Sequence, residues 1–433
     1  MTEPIPFPFP VGAGVCPPAE YRHLLAAGEP APVLLAGGRR ALLVTRHADV
    51  STVLTDDRFS RAGYAGRPLL ARRAASLSLA TADAPDHTRR RRSVLHAFTA
   101  RRARAAGPGL EALADRLLTD LTGGADSGET DLVQALTVPF PLRFMCGLLG
   151  VPEADGEQLR ALTDILMSTS GHHPEEVAAA HTRMHAYFQE LAAAKRRALD
   201  AGQGADDLLT DLLRRPAGDP DRSLSPDEIT VLTSGLLMAG YETTGNQLAM
   251  CVLLLLQDPA LAARLRAEPE RIAAAVEEML RWTSLNTTGG MPHLVRADTV
   301  LGGRVVRAGE VVVALTDAAN RDPAVFADPD TFDPDRATDR STGRDAGRTA
   351  GRDTRGHLAF GHGRHYCLGA ELARAELRIA LAALLRHFDR LELAVDASEL
   401  RWRESMFIRG VWELPVRWAK SAATPAAVRD ADR

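Results

Sequence analysis

The chain has 433 residues, of which 45% are hydrophobic and 25% charged, the composition of an ordinary globular protein. Its formal net charge of −4 gives no electrostatic reason to expect a nucleic-acid partner. The N-terminal region has no charged segment followed by an apolar stretch, and the apolar run 248–256 is too short to cross a bilayer. We therefore expect neither a signal peptide nor a membrane anchor.

Two patterns stand out in the first quarter of the chain. Apolar runs at 33–36 and 41–44 flank a Gly-Gly pair, which predicts a β-hairpin. Further on, His87 and Arg91 lie four residues apart on a predicted helix, 87–104, so both side chains can reach one partner. We interpret three neighbouring arginines as a solvated basic face, namely Arg89, Arg90 and Arg92.

The longest predicted helix begins at the sequence SPDE (225–228), which offers a serine cap, proline at the first position and glutamate at the third. The helical pattern continues to Gln257, a length of about 30 residues or roughly 45 Å. Because nearly every face is apolar, this helix is expected to cross the middle of the protein. Its centre, AGYETT (239–244), brings a carboxylate and two hydroxyls into that apolar run. A buried acid is costly unless it is paired or used in chemistry.

The second half of the chain contains a further helix, a strand-rich patch and a low-complexity segment. Glu278 and Arg281 lie three residues apart on the helix, where they can form a bidentate ion pair. Glycine pairs and apolar runs predict strands within 298–315. Repeated Arg, Asp, Gly and Thr predict an exposed loop at 336–356, and the polar tail 419–433 is predicted to be disordered.

The most informative residue is Cys367, in the loop FGHGRHYCLG (360–369) before a helix predicted from about Leu368 to His387. A helix N-terminus favours a thiolate over a thiol, as an electron-rich metal ligand requires. A zinc site formed with His362 and His365 is an alternative, although it lacks a convincing fourth ligand. The other cysteines, Cys16, Cys146 and Cys251, have no disulfide-like spacing, so we expect the reducing cytoplasm.

Taken in order, these motifs resemble those of the cytochrome P450 superfamily. The resemblance rests on the cysteine loop, the Glu278-x-x-Arg281 helix, the AGYETT helix centre, DAPDHTR (83–89) and NRDP (320–323). The chain is similar to soluble bacterial members over residues 1–418. The resemblance implies a mainly α fold with a small β region, built as a single large domain with a long central helix over a haem.

By resemblance, the cofactor is haem b and Cys367 is its axial metal ligand, since thiolate donation favours O–O bond cleavage. Glu242 and Thr243 match the acid–alcohol pair that supplies protons during oxygen activation. The structural alternative for Thr243 is a hydrogen bond to the carbonyl four residues earlier, which bends a helix. The other residues expected to contact the haem are His87, Arg91, Ala239, Gly240, His293, Phe360, Gly361, His365 and Gly369.

The chain departs from its relatives at one expected haem contact. Relatives usually carry an arginine where this sequence has His293, and that arginine binds a haem propionate. A histidine can still donate a hydrogen bond, but its charge depends on pH. Arg296 could take this role if the register shifts.

The resemblance implies a haem-thiolate monooxygenase that activates O2 with electrons from a ferredoxin and its reductase. Arginines of 87–104 and 336–356 are candidates for a basic docking face toward an acidic ferredoxin. The substrate is expected to be a natural product of secondary metabolism, and hydroxylation is the expected outcome. Oxidative C–C or C–N coupling of aromatic or cyclic-dipeptide substrates is an alternative. A non-catalytic haem-binding protein is a remote one, because a binder would not need Glu242 and Thr243.

We predict that the substrate pocket is walled by 63–82, 167–185, the central helix, 286–291 and the C-terminal stretch 406–408. The individual candidates for substrate contact are Met238, Gly289, Met406, Phe407 and Ile408.

Overall fold

Helices form most of the molecule, and strands gather into a smaller β region. The structure is a computed structural model, and it describes residues 4–10, 12–36, 38–64, 78–214, 224–336 and 356–420. Nearly all of the loop predicted at 336–356 and most of the tail predicted at 419–433 lie outside these residues. The mainly α fold with a small β region is confirmed.

The helices follow one another in chain order, with a π-helical turn at Val133–Thr137 before α5. Their bounds are α1 Glu20–Ala27, α2 His47–Thr55, α3 Asp86–Val94, α4 Ala100–Thr122, α5 Pro139–Leu149, α6 Gly156–Met167, α7 Pro174–Asp200, α8 Leu208–Arg214, α9 Pro226–Gln257, α10 Pro259–Ala267, α11 Ile272–Trp282, α12 Thr316–Ala319 and α13 Ala370–His387.

The strands form a six-stranded sheet in the order β1-β2-β3-β9-β6-β4, a three-stranded sheet in the order β10-β11-β5, and the hairpin β7-β8. Their bounds are β1 Ile5–Phe7, β2 Ala31–Leu35, β3 Arg40–Val44, β4 Phe59–Ser60, β5 Ser127–Asp131, β6 Pro292–Val295, β7 Thr299–Leu301, β8 Arg304–Val306, β9 Val311–Ala314, β10 Arg390–Leu393 and β11 Pro415–Ala419. The predicted hairpin is confirmed as antiparallel β2 and β3, and the predicted strand-rich patch as β7, β8 and β9.

The central helix α9 has 32 residues and begins where the sequence predicts. The Ser225 hydroxyl accepts from the Glu228 backbone N–H, and the Glu228 carboxylate accepts from the Ser225 backbone N–H, which forms a capping box. The helix packs against α5, α7 and α13. A Cβ at Gly245 would lie 2.8 Å from the carbonyl oxygen of Thr137, so the glycine lets α9 approach the π-helical turn.

Two local predictions in the basic region 87–104 are wrong. The predicted single helix is divided into α3 and α4, because Thr99 is extended and its hydroxyl caps α4 by accepting from the Arg102 N–H. Arg89 and Arg90 are not solvated: both form ion pairs with Glu228, and Arg90 is buried. The capping glutamate of α9 therefore also joins α9 to α3. Arg92 is exposed, as predicted.

The helix after the cysteine loop begins slightly later than predicted. Gly369 is the N-cap, and the first helical residue of α13 is Ala370. In the described part of the chain, no single helix is long and apolar enough to span a membrane. The helices α9 and α10 meet that criterion only as a pair, and they are bent by 104° at their junction.

Candidate active site

The cysteine loop is shaped by short backbone hydrogen bonds and two left-handed glycines. The Cys367 N–H donates to the Phe360 carbonyl at 2.8 Å, which closes the loop. Gly361 and Gly363 have φ values of +71° and +69°, conformations that favour glycine. A Cβ at Gly363 would lie 2.5 Å from the Leu54 carbonyl oxygen, so this glycine also lets the loop sit against α2.

The Cys367 side chain is exposed in this loop and lies close to cationic groups. The surrounding protein raises the pKa of its thiol through desolvation, while a hydrogen bond from the Gly369 backbone N–H and the charges of Arg91 and Arg374 act in the opposite direction. These stabilising contacts all favour the thiolate form over the thiol. They match the expectation that a backbone N–H at the helix start would face the sulfur.

A buried network lies behind the loop, and the sequence analysis did not identify it. Arg374, on α13, donates to the Glu277 carboxylate at 2.9 Å and to the Tyr366 hydroxyl at 3.0 Å. Its guanidinium carbon lies 4.5 Å from the centre of the Phe360 ring, a cation–π contact. His357 contacts the same Glu277 carboxylate at 3.0 Å. The sequence analysis identified Glu278 but not Glu277, because the partners of Glu277 are distant in sequence.

The predicted ion pair between Glu278 and Arg281 is confirmed. Arg281 donates through Nε and NH2 to the two carboxylate oxygens, each at 2.7 Å, and both side chains are 1% exposed. Its remaining N–H groups donate to the carbonyls of Asn320, Pro329 and Thr331. The pair is therefore a fully bonded buried anchor for the segment that follows α12.

Histidines from three distant segments lie close together near the cysteine loop. The rings of His87, on α3, and His365 have centroids 4.2 Å apart. His293, on β6, is buried, and its Nε2 accepts from Arg61 Nε at 3.2 Å. Burial, together with the charges of Arg91 and Arg61, lowers the pKa of His87 to about 4, and burial with the charge of Arg61 and other neighbours lowers that of His365 to about 2. Sequence reasoning predicted all three histidines but missed Arg61.

The two candidates for the role of the expected arginine, His293 and Arg296, lie in different surroundings. Arg296 forms an ion pair with Asp83 at 2.7 Å and is largely exposed. Asp83 also accepts from the Ser60 hydroxyl and the Arg61 backbone N–H. His293 lies beside Arg61 and the other two histidines instead, and its role as a haem contact stays a prediction.

Glu242 is buried at the centre of α9 and paired with an arginine that the sequence did not reveal. Its Oε1 lies 2.7 Å from NH1 of Arg403, in an ion pair. Arg403 also donates to Asp164, on α6, at 2.8 Å and to the Asn246 side-chain oxygen at 3.1 Å. Burial raises the pKa of the Glu242 carboxyl, and the charge of Arg403 opposes that rise.

The neighbouring residues of α9 have different environments. Thr243 is half-exposed, and its hydroxyl donates to the Ala239 carbonyl at 2.7 Å, the structural alternative considered for this residue. Ala239 is exposed on the same stretch. A Cβ at Gly240 would lie 2.6 Å from the sulfur of Met145, so that glycine is explained by packing against α5.

The C-terminal stretch 406–408 joins two of the predicted pocket walls. The Phe407 N–H donates to the Met167 carbonyl at 2.8 Å, and the Thr287 hydroxyl donates to the Met406 carbonyl at 2.7 Å. Ile408 forms a β-bridge with Asn286. Met406 and Ile408 are buried, whereas Phe407 and Met238 are half-buried.

Gly289, the remaining substrate candidate, has a packing role. It is buried with φ +69°, and a Cβ there would lie 2.3 Å from Leu315 and 3.1 Å from Phe7. These neighbours belong to the core around the six-stranded sheet. The position requires glycine because its φ is positive and because Leu315 and Phe7 leave no room for a Cβ.

The side chains near the loop fit the expected haem better than zinc. Within the described ranges, no three His, Cys, Asp or Glu side chains are grouped so that they could hold a metal ion, so the zinc alternative has no support. His293 Nδ1 and His365 Nε2 are buried and lack a hydrogen-bond partner among the described residues. Carboxylates on one edge of a cofactor would satisfy such nitrogens, while Cys367 would ligate its iron.

Comparisons with known proteins agree with this geometry. The family model "Cytochrome P450" matches residues 154–406. Nocardicin C N-oxygenase from Nocardia uniformis subsp. tsuyamanensis is 40% identical over 96% of this chain and 99% of its own length. The mixed-function P450 MycG is 37% identical, with a TM-score of 0.80 over 96% of this chain and all of that one. Cytochrome P450mel, which has biaryl coupling reactivity, is 34% identical, with a TM-score of 0.80 over 92% of this chain and 96% of that one. The chain therefore belongs to the cytochrome P450 family and is a monooxygenase whose cofactor is haem b.

Proposed function

We propose that this monooxygenase oxygenates a natural product of secondary metabolism, with electrons from a ferredoxin and its reductase. The observation that carries the proposal is the acid–alcohol pair at the centre of α9, where Glu242 is buried against Arg403 and Thr243 is half-exposed. Bound haem supplies the oxidising chemistry through its thiolate-ligated iron. The chain itself supplies the cysteine ligand, the groups that hold the cofactor, and the proton supply.

The proton supply is divided between Glu242 and Thr243. The Thr243 hydroxyl is held by the Ala239 carbonyl at 2.7 Å, and this bond fixes the position of the oxygen. Glu242 is a buried carboxyl with a raised pKa, poised to hold or pass a proton. Asp164, linked to Glu242 through Arg403, has a side chain that is 30% exposed and so reaches solvent. Protons from solvent would pass between these two carboxyls through water rather than through Arg403, because a guanidinium keeps its protons.

A large, mainly apolar substrate is supported by the walls that meet at 406–408. Backbone contacts join the apolar stretch 406–408 to Met167 and to Asn286, and Phe407 on this stretch and Met238 on α9 are each half-buried. Similar proteins include a mycinamicin IV hydroxylase/epoxidase from Micromonospora griseorubida, 38% identical over 96% of this chain, and the nocardicin N-oxygenase. Hydroxylation remains the favoured outcome.

Oxidative coupling is a second candidate. It is favoured by the likeness to P450mel and by a structure called the putative thioether synthase SgvP, 36% identical with a TM-score of 0.85. The same haem centre would serve both outcomes: hydroxylation adds one oxygen atom to the substrate, whereas coupling removes two hydrogen atoms and joins two substrate atoms.

Isotopically labelled O2 separates these candidates once a substrate has been found by its binding spectrum. Hydroxylation transfers one labelled oxygen atom into the product, whereas coupling transfers none. The assignment itself is tested by the carbon monoxide difference spectrum of the reduced protein. We expect the thiolate-type band, its loss in Cys367→Ser, and its retention in Cys146→Ser, which changes a buried cysteine on α5. A wild-type protein without that band would overturn the proposal. The cytoplasmic location and the ferredoxin stay predictions.

A further inference from the structure

We propose that Arg61 provides the guanidinium for a haem carboxylate, where the family resemblance leads us to expect an arginine and this chain has His293. Arg61 follows β4, and His293 lies on the facing strand β6. This inference rests on haem binding and goes beyond the residues assigned above, since nothing in the sequence motifs includes Arg61.

The strand register places the two residues opposite each other. Strands β4 and β6 are antiparallel, with Phe59 across from Val295 and Ser60 across from Leu294. One step further along the same register, Arg61 faces His293, and the two side chains meet at 3.2 Å. The guanidinium of Arg61 therefore occupies the space that a long side chain at position 293 would reach.

His293 cannot supply a full positive charge in this environment. It is 3% exposed, and its Nε2 accepts a hydrogen bond from Arg61 Nε. A ring nitrogen that accepts carries no proton, so the proton lies on Nδ1, which has no partner among the described residues. Burial and the charge of Arg61 both lower the pKa of His293 well below its usual range. His293 is thus a neutral donor, and the charge at this place comes from Arg61.

In the described part of the chain, the guanidinium of Arg61 forms no ion pair with a carboxylate. Its guanidinium donates to His293 and, at 3.3 Å, to the Ala80 carbonyl. Asp83 acts on Arg61 by its charge and accepts from the Arg61 backbone N–H, but its ion pair is with Arg296 and it also accepts from the Ser60 hydroxyl. Burial lowers the pKa of Arg61 to about 10, which still leaves it charged at neutral pH.

The surroundings of Arg61 hold several donors and cations, and the acid that acts on it, Asp83, is already paired with Arg296. Arg61 lowers the pKa of His87, His293 and His365 by its charge, so it lies within range of all three rings. Arg91 follows His87 by one helical turn and is half-buried. Such a cluster is stabilised by a carboxylate that accepts from several donors at once, and a guanidinium can bind one bidentately.

The test measures how fast haem leaves the purified holoprotein for an excess of apomyoglobin. We expect Arg61→Gln to lose haem about tenfold faster or more, the equivalent of one charge-assisted hydrogen bond. Adding His293→Arg to that variant should bring the rate of haem loss back to within about twofold of the wild-type rate. Arg296→Gln, which removes a neighbouring arginine already bound to Asp83, should lose haem at the wild-type rate.

Reconstitution with the dimethyl ester of haem shows whether the effect acts through a carboxylate. With the ester, wild type and Arg61→Gln should lose the cofactor at equal rates. An Arg61→Gln variant that holds haem like wild type, or that accelerates loss of the ester equally, would overturn the inference. If Arg61→Gln does not fold, Arg61→Lys keeps the charge without the bidentate fork and should show a smaller acceleration. A normal thiolate spectrum in these variants keeps the haem assignment intact whichever result is found.

Discussion

At the scale of single residues, the acids of this protein differ in how the cost of their burial is offset. Glu242 and Asp164 share the guanidinium of Arg403, which contacts them at 2.7 and 2.8 Å. Burial raises the pKa of both carboxyls, and the charge of Arg403 lowers both. Arg403 therefore holds Glu242 in place and limits how strongly that acid retains its proton.

Replacing Arg403 should uncouple electron consumption from substrate oxidation. In Arg403→Gln, Glu242 loses its counter-charge, its pKa rises further, and the pH dependence of product yield should shift to higher pH. Product formed per reduced nicotinamide consumed should fall by about tenfold while peroxide rises, and Arg403→Lys should restore part of the yield.

The matched control for this prediction is Arg401→Gln. Arg401 lies two positions away in the same stretch and pairs with Glu413 at 3.2 Å, but both side chains are more than half exposed. Exposed ion pairs of this kind contribute little. An unchanged pH profile in Arg403→Gln, with yields like those of Arg401→Gln, would show that Arg403 is only structural.

Glu376, on α13, should make the protein less stable as the pH rises. It is 2% exposed, its Oε2 has no hydrogen-bond partner in the described ranges, and burial raises its pKa well above the usual value. Above about pH 4.3 the unfolded chain releases this proton while the folded protein keeps it, so the free energy of unfolding falls with pH by up to about 1.4 kcal/mol per unit.

Urea unfolding at several pH values checks this expectation. Relative to wild type, Glu376→Gln should gain stability steadily as the pH rises above about 5, until Glu376 ionises in the folded protein. The exposed Glu190→Gln on α7 should show no such trend. A difference between Glu376→Gln and wild type that stays constant with pH would refute the prediction.

At the scale of elements, α9 organises the molecule because it is packed on several sides. Its second half is buried nearly all round, and Gly245 allows close contact with the π-helical turn. The capping box at Ser225 also connects to α3 through Glu228, whose pKa is lowered to about 2 by Arg89 first and by further hydrogen bonds. The position of this helix thus depends on contacts at its N-terminal end and in its middle.

Alanine at two glycines of α9 should have opposite effects. Gly245→Ala places a methyl group 2.8 Å from a backbone oxygen that cannot easily move, and should destabilise the protein by about 1–3 kcal/mol. At Gly235 nothing lies within 4 Å of the added atom, so Gly235→Ala should stabilise it by roughly 0.5–1 kcal/mol. Unfolding midpoints in urea measure both, and equal shifts would contradict this account of α9.

At the scale of the whole molecule, the basic face expected to receive the ferredoxin can be tested at α4. Arg102 and Arg104 are exposed on this helix, which packs against α13, the helix that follows the cysteine loop. Reversing either charge, as in Arg102→Glu, should slow the first reduction at low salt, and the defect should shrink as salt screens the surface. Stopped-flow reduction by a ferredoxin measures this.

The control for the docking prediction is Arg197→Glu, an exposed charge reversal on α7, which packs against α6, α8 and α9. It makes the same change in net charge at a different surface. If both reversals slowed reduction equally, net charge rather than a face on α4 would explain the effect.

Features that depend on neighbours along the chain can be predicted from the sequence alone. The capping box and length of α9, the hairpin β2–β3, the Glu278–Arg281 pair and the cysteine loop all follow from local spacing, because caps, turns and one-turn ion pairs are short-range. The break between α3 and α4 was missed, since helix propensity continued through Thr99 and only its cap reveals the boundary.

Which charged side chains meet across the chain depends on the folded structure. Arg61 reaches His293 across 232 positions, Arg403 reaches Asp164 across 239, and Arg374 reaches Glu277 across 97. Charged contacts between distant segments have no sequence period, because they depend on strand register and on helix packing rather than on spacing. The sequence therefore indicated a haem-thiolate site and its acid–alcohol pair, whereas the folded chain revealed the arginines that surround them.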